Sequence, residues 1–418
     1  MSQATTLTPS ALAGVRVLDL SRVLAGPWCT QTLADLGANV IKVERPASGS
    51  HPGGDDTRGW GPPFLQDRAG GDTGEAAYYL GCNRNKRSIT IDLAQPEGQA
   101  LVHRLVAECD VLVENFKVGD MARYGLAATT LLAAQPRLVY CSITGFGQTG
   151  PYRDRAGYDY AIQGLGGLMS VTGERDDRPG GGPQKVGVAV ADLFTGLYAT
   201  VAILAALRHR DATGCGQHID MALLDTQVAM LANLGANYLV TGVAPARAGN
   251  AHQNIVPYQV FEAADGHLIL AVGNDGQFVK FCEVAGCQEL ARDKRFLRNA
   301  DRVRHRDLLI PLLANRMRTR SKQQWLSALE AAKVPCGAIN DLAEVFADPQ
   351  VRSRGMAVPV PHPLTDSLRL VASPIKLSAT PVQVPRAPPL LGQHTDEVLA
   401  ALGLDETERT RLHQRGVV

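Results

Sequence analysis

One carboxylate stands at the mouth of the longest apolar helical pattern in the chain. Residues 185–196 read KVGVAVADLFTG, so a short β-branched segment ends on Asp192. From Leu193 onward, Tyr198, Val201, Leu204 and Leu207 recur at helical spacing. The pattern closes on Arg208, His209 and Arg210 and then Gly214, a cationic last turn followed by a glycine stop. The spacing therefore predicts a strand over 186–190 and a helix after it, with Asp192 at the junction. Two roles suit a carboxylate there. As an N-cap it accepts hydrogen bonds from the free N–H groups of the first turn, worth about 1 kcal/mol. As a nucleophile it attacks an acyl carbon and forms a covalent intermediate. The roles are compatible, and spacing alone does not choose between them.

Other polar groupings are less specific. Arg84, Lys86 and Arg87, within the run NRNKRS, read either as a solvated face or as a phosphate clamp. Glu44 sits where a dinucleotide fold places its ribose-reading acid. The preceding turn, SRVLAGP, lacks the G-x-G-x-x-G glycines, so Glu44 reads as structural and a nicotinamide site is not expected. No phosphate-binding P-loop, H-E-x-x-H or G-x-S-x-G pattern occurs, which leaves a transferase or isomerase that uses neither metal nor nucleotide triphosphate. Eight scattered cysteines without a C-x-x-C read as reduced thiols, not metal ligands.

The elements that must position these groups alternate. Strands are expected over 14–20, 39–44, 89–92, 111–116, 138–143 and 217–222, and helices over 28–36, 96–109 and 223–238. Such alternation predicts a doubly wound parallel sheet, with ligands at the carboxyl ends of its strands. Residues 46–75 read as a long loop and 179–183 as a Gly/Pro connector. Composition changes near 244–250. Beyond that, 258–263 and 267–272 flank Ala264-Asp265-Gly266, a hairpin signal, and Ser321 with Gln324 forms a capping box. The layout expected is a large α/β domain over 11–237, completed by 386–418; a linker over 238–257; a smaller α+β domain over 258–350; and a returning linker over 351–385. Near-balanced charge, 42 basic against 41 acidic residues, argues against a nucleic-acid or anionic-membrane partner. The first residues show no leader pattern, and the apolar run 193–207 is short for a bilayer span, so a cytoplasmic protein is expected.

Several motifs together resemble the class III CoA-transferases, a family that also contains methylacyl-CoA racemase. They are GVRVLDL at 14–20 with Ala25-Gly26-Pro27, GANVIKVE at 37–44, Asn85-Lys86-Arg87-Ser88, Glu114-Asn115-Phe116, the Asp192 run with TGCGQ at 213–217, and PLLGQHTDEVL at 389–399. The resemblance implies an interlocked homodimer and assigns Asp192 as a nucleophile that relays CoA through an aspartyl anhydride and an aspartyl-CoA thioester. Coenzyme A would then be part of a substrate, with no permanently bound cofactor and no metal. It also implies CoA contacts at Leu24, Ala25, Arg45, Ile91, Asp92, Leu93, Ala94, Asn115, Phe116, Lys117 and Arg123. Gly249, Asn250 and His252 fall where relatives carry a loop over the site, and the four-glycine run of the formyl-CoA enzymes is missing there, which disfavours oxalate and formate. Where racemases have a base histidine this chain has Tyr158, a phenol with an ordinary pKa near 10, which favours transfer over the alternative of racemisation. Residues 249–261 and 271–278 look like the succinyl-CoA-dependent branch. The expected acceptor is accordingly a short dicarboxylate, its distal carboxylate held by His252 or a nearby arginine.

Overall fold

A computed structural model describes residues 10–49 and 51–418; the first nine residues, on which the reading of no leader rests, lie outside it. The chain divides into two compact units, one of Met1–Gly167, Gly187–Ala236 and Arg352–Val418, the other of Leu168–Val186 and Asn237–Val351. The segment 168–186, expected within the large domain, thus clusters with the smaller unit, and the returning segment from Arg352 clusters with the larger.

The large unit is built on β1 (Arg16–Asp19), β2 (Asn39–Glu44), β3 (Phe64–Gln66), β4 (Asp72–Ala76), β5 (Lys86–Thr90), β6 (Val111–Glu114), β7 (Val139–Thr144) and β8 (Gln217–Ala222). Six of these form one sheet in the order β5-β2-β1-β6-β7-β8, every neighbour parallel. Period-two alternation sends Val17, Val111, Val113, Val139 and Cys141 to one face, against Cys29, Leu33, Ala199, Ile203 and Leu207. Leu18, Leu112 and Tyr140 point to the other, against Leu101, Val102 and Leu105. Both faces being covered explains why the strands read as nearly continuous apolar runs. Each buried Leu or Ile contributes about 1.5–3 kcal/mol, and Ile203→Ala at the centre of one face costs about 2–5 kcal/mol.

Three expectations for this unit need correction. Residues 46–75 are not a bare loop: they hold a 3-10 turn at Asp56–Gly59 and the antiparallel β3–β4 hairpin. The strand expected at 89–92 starts earlier, because pairing with β2 begins at Val40↔Lys86 and draws two cations into the sheet. No strand forms over 186–190; the residues are β-branched but have no partner strand to satisfy their backbone groups, and a helix begins at Val190. That helix, Val190–Thr213, has 24 residues and so exceeds the apolar run 193–207; by length and composition it is sufficient to cross a bilayer. One side of it packs on the sheet, with Ala199 and Ile203 fully buried. It stops at Gly214, left-handed with φ 81°, while Arg210 in its last turn pairs with Asp110 at 2.6 Å.

The β5 edge is closed from far along the chain. Thr395 Oγ accepts from Thr90 N at 3.0 Å, the Ser88 carbonyl accepts from His394 N at 2.9 Å, and the Val417 carbonyl accepts from Asp92 N at 2.8 Å. Val398, Leu399, Leu412 and Val417 then complete the core on that face.

The smaller unit carries β9 (Tyr258–Ala263), β10 (Gly266–Ala271) and β11 (Cys336–Ala338), an antiparallel sheet in the order β11-β10-β9. Phe261, Leu268, Leu270, Phe278, Phe281 and Trp325 fill its core. The Ser321–Gln324 capping box forms, with Ser321 N donating to Gln324 Oε1 at 2.9 Å. The helix expected over 223–238 is two, Leu223–Met230 and Ala232–Thr241, separated where Ala232 takes φ 43°.

Candidate active site

Asp192 is the third residue of its helix, and the N-cap is Ala189, which brings no side-chain acceptor. The capping role considered for Asp192 is filled by Asp159, whose Oδ2 accepts from the N–H of Ala191 at 2.8 Å and of Asp192 at 3.3 Å. Among the described residues the Asp192 carboxylate itself has no hydrogen-bond partner, and it lines a hollow open to solvent. Burial first, and the neighbouring Asp159 charge second, push Asp192 up to about 7. The helix N-terminus acts in the opposite sense, favouring the anion.

Two close approaches set this geometry, and both require glycine. A Cβ on Gly196 would sit 2.6 Å from the Ala25 carbonyl, so the Val190–Thr213 helix presses on the start of the Ala25–Asp35 helix. A Cβ on Gly145 would sit 2.6 Å from Gly157 Cα, so the backbone before Tyr158 and Asp159 docks on the end of β7.

The hollow beside Asp192, about 310 Å³, is lined by Leu24, Ala25, Asn115, Phe116, Lys117 and Tyr158. A second, about 360 Å³, is lined by Arg45, Ile91, Asp92, Leu93 and Ala94. They share Arg22, Phe116 and Asp120. Both lie past the carboxyl ends of β1, β2, β5 and β6, where the strand order reverses. Arg123 lines neither hollow: its guanidinium pairs with Asp120 at 3.2 Å and lies over the Tyr124 ring. Tyr158 is 66% exposed.

The Asn83–Ser88 cations prove to be neither a solvated face nor a phosphate clamp. Lys86 is fully buried and donates to Asp19 at 3.0 Å and to the Pro27 carbonyl at 2.9 Å, while Arg84 pairs with Asp35. Glu44 is structural, accepting from Arg58, Ser88 and Asp55 N. In the smaller unit, the His252 ring lies 5.3 Å from that of Tyr258, tilted by 59°, and its Nδ1 accepts from Asn254 N at 3.0 Å. The neutral ring thus carries its proton on Nε2. Gly249 takes φ 59° with Glu174 packed against it, and Asn250 lines a broad polar hollow that also contains Arg175, Arg247 and Arg306.

Sequence reasoning passed over several members. Arg22, Arg153 and Arg155 line the Asp192 hollow, Arg155 lying 3.8 Å over the Tyr152 ring. Lys42 and Asp55 also escaped notice. Lys42 Nζ donates to Asp55 at 2.9 Å and to the Ser21 carbonyl at 2.7 Å, and both Asp55 oxygens accept from Val23 N, where the backbone is left-handed at φ 72°. The pair pins the turn that carries Leu24 and Ala25. The basic spacing R-D-R at 153–155 was a readable signal; a buried lysine in a strand was not.

The arrangement offers an unpaired carboxylate of raised basicity beside a cation-rimmed, nucleotide-sized groove. A family model described as CoA-transferase family III matches residues 12–395. The chain is 52% identical over 399 residues to the succinate–glutarate CoA-transferase of Agrobacterium fabrum, covering 96% of this chain and 97% of that protein. It is 42% identical over 408 residues to the succinyl-CoA:glutarate CoA-transferase of Homo sapiens, covering 97% and 90%. The crystal structure of a CAIB/BAIF family protein from Brucella suis superposes with a TM-score of 0.81 at 49% identity, over 94% of this chain and all of that one. The chain is therefore an enzyme of CoA-transferase family III.

Proposed function

We propose that this enzyme moves CoA from succinyl-CoA to a short dicarboxylate, glutarate first among them, through covalent intermediates on Asp192. The observation that carries the mechanism is the Asp192 carboxylate: spared from capping its own helix, without a hydrogen-bond partner among the described residues, and raised in basicity at the groove. The substrate pair rests on the relatives named for glutarate. An Asp192 oxygen attacks the thioester carbonyl, the C–S bond breaks, and CoA thiolate leaves an aspartyl–succinyl anhydride. The thiolate then attacks the aspartyl carbonyl, releasing succinate and leaving an aspartyl-CoA thioester. An acceptor carboxylate repeats the sequence in reverse and frees Asp192. One thioester replaces another, so no nucleotide triphosphate is consumed.

Basicity near neutrality makes the carboxylate a stronger nucleophile while keeping much of it ionised at pH 7. Leu24, Ala25, Asn115, Phe116 and Lys117 would hold CoA beside Asp192, with Arg45 and residues 91–94 further along. Arginine and lysine suit its phosphates. His252, with Nε2–H free to donate, is assigned to the acceptor's distal carboxylate. The working form is proposed to be a cytoplasmic interlocked homodimer. In support, Leu239 and Val240 are 83 and 85% exposed, apolar side chains that a second copy would cover.

The test incubates the enzyme with succinyl-CoA and a pool of short mono- and dicarboxylates and identifies new acyl-CoAs by mass spectrometry. Glutaryl-CoA formed by the parent and absent with Asp192→Ala is the expected result. Transfer that survives Asp192→Ala removes the covalent role.

A further inference from the structure

The helix that bears the nucleophile is capped from outside itself. Ala189 offers no acceptor, and the first-turn amides are taken up by a carboxylate 32 and 33 positions upstream. Asp159 is fully engaged in this task. Its Oδ2 accepts from Ala191 N at 2.8 Å and Asp192 N at 3.3 Å, while Oδ1 accepts from Gln163 Nε2 at 2.6 Å. Asp159 is in turn anchored as the first residue of its own helix, Asp159–Leu165, just after the Gly145–Gly157 contact. The amide it holds belongs to the nucleophile residue.

We propose that Asp159 is a positioning residue for the transfer reaction: by holding the amides of Ala191 and Asp192 it fixes the direction in which the first helical turn presents the Asp192 carboxylate. The inference rests on the assignment of Asp192 as nucleophile. It has an electrostatic consequence as well. The ionisable groups around the same hollow are Arg22, Lys117, Asp120, Arg153, Asp154 and Arg155, with the Tyr158 phenol and, facing both carboxylates, that of Tyr78. None of these, but Asp159 itself, adds to burial in raising Asp192. One residue therefore supplies both the aim and part of the basicity, and substitutions can separate the two. Asparagine keeps an acceptor oxygen and loses the charge; alanine loses both.

The experiment measures glutarate-dependent consumption of succinyl-CoA from pH 5.5 to 8.5 for the parent, Asp159→Asn, Asp159→Ala and Asp192→Ala. Asp159→Ala is expected to lose about 10²-fold in kcat, the cost of a misdirected reacting group, with KM for succinyl-CoA changed less than about twofold. Asp159→Asn is expected to retain more kcat than Asp159→Ala and to move the acid limb of kcat downward by about half a pH unit or more. A merely structural residue would not move that limb. If Asp159→Ala keeps kcat within about twofold of the parent, or Asp159→Asn leaves the acid limb in place, the proposal is overturned. Should Asp159→Ala fail to fold, the Asp159→Asn profile decides alone. Asp192→Ala separates the two levels: an inactive Asp192→Ala beside an unaffected Asp159 series removes only the positioning role, whereas an active Asp192→Ala removes the nucleophile and this role with it.

Discussion

Removing one member of the Lys42–Asp55 pair should harm the large unit more than any surface substitution. Both side chains are fully buried and 2.9 Å apart. Asp55 also accepts from Val23 N, Thr57 N and Thr57 Oγ. Asp55→Ala leaves the Lys42 ammonium with the Ser21 carbonyl as its remaining hydrogen-bond partner and the charges of Asp19 and Glu44 nearby. Breaking a buried pair this way costs about 3–5 kcal/mol. Release of the left-handed Val23 backbone, a strain of about 1–3 kcal/mol held by that carboxylate, offsets part of that cost. A urea titration of the large unit should therefore show a loss near the lower end of the pair-breaking range, with a raised KM for succinyl-CoA because the freed turn carries Leu24 and Ala25. The loss should shrink on acidification. Lys42 and the hydrogen bonds to Asp55 hold its carboxyl below the ordinary carboxylate range. Its contribution is thus complete above the unfolded pKa of about 3.9 and lost as pH falls through the folded value. Lys42→Met with Asp55→Leu together should cost less than Asp55→Ala alone, since apolar replacement leaves no orphan charge. A loss below about 1 kcal/mol for Asp55→Ala, or a double variant worse than the single, refutes the reasoning.

Further expectations concern chemistry and core. Transfer at saturating substrates should decline as pH drops below about 7, where Asp192 gains its proton; a rate flat down to pH 5 contradicts the raised basicity. His252→Ala should raise KM for glutarate by about tenfold and leave KM for succinyl-CoA alone, consistent with one lost charge-assisted hydrogen bond; an unchanged glutarate KM removes that role. In the smaller unit, Trp325 is fully buried and donates its indole N–H to the Met317 carbonyl at 2.6 Å. Trp325→Ala should cost about 3–5 kcal/mol there, read by hydrogen exchange of β9 and β10. A loss under about 1 kcal/mol would show that the site collapses around the gap.

What could be read in advance follows from which interactions are local. Alternating valines and leucines announced the parallel strands, because periodicity is set within a few residues. The Ser321 capping box and the Ala264-Asp265-Gly266 turn were legible for the same reason. The error at 186–190 came from treating β-branched content as sufficient, when a strand also needs a neighbour to pair with. The Asn83–Ser88 cations were misread because burial of charge depends on partners such as Asp19 and Asp35, 67 and 49 residues away and marked by no pattern. Asp192 was legible as a residue at a helix start, with a capping and a nucleophilic role both open to it. Asp159 was visible only as the neighbour of Tyr158, and its grip across 33 positions had no signature in spacing.

The distant closure of β5 bears on how the polypeptide is born. Thr90 and Thr395 are 305 residues apart, and all of Asn237–Val351 is translated between them. While the ribosome works through that stretch, β2 and β5 have been made but the lid of Val398, Leu399 and Leu412 has not. The nascent sheet waits with one edge unpaired and part of one apolar face uncovered, the condition that invites strand addition from other chains. The entropy of so long a loop rises only slowly with its length; the delay is therefore a matter of time more than of free energy. Slow elongation through codons 237–351 should lengthen the interval in which holding chaperones are needed, and premature termination before residue 395 should yield aggregates, not a truncated enzyme.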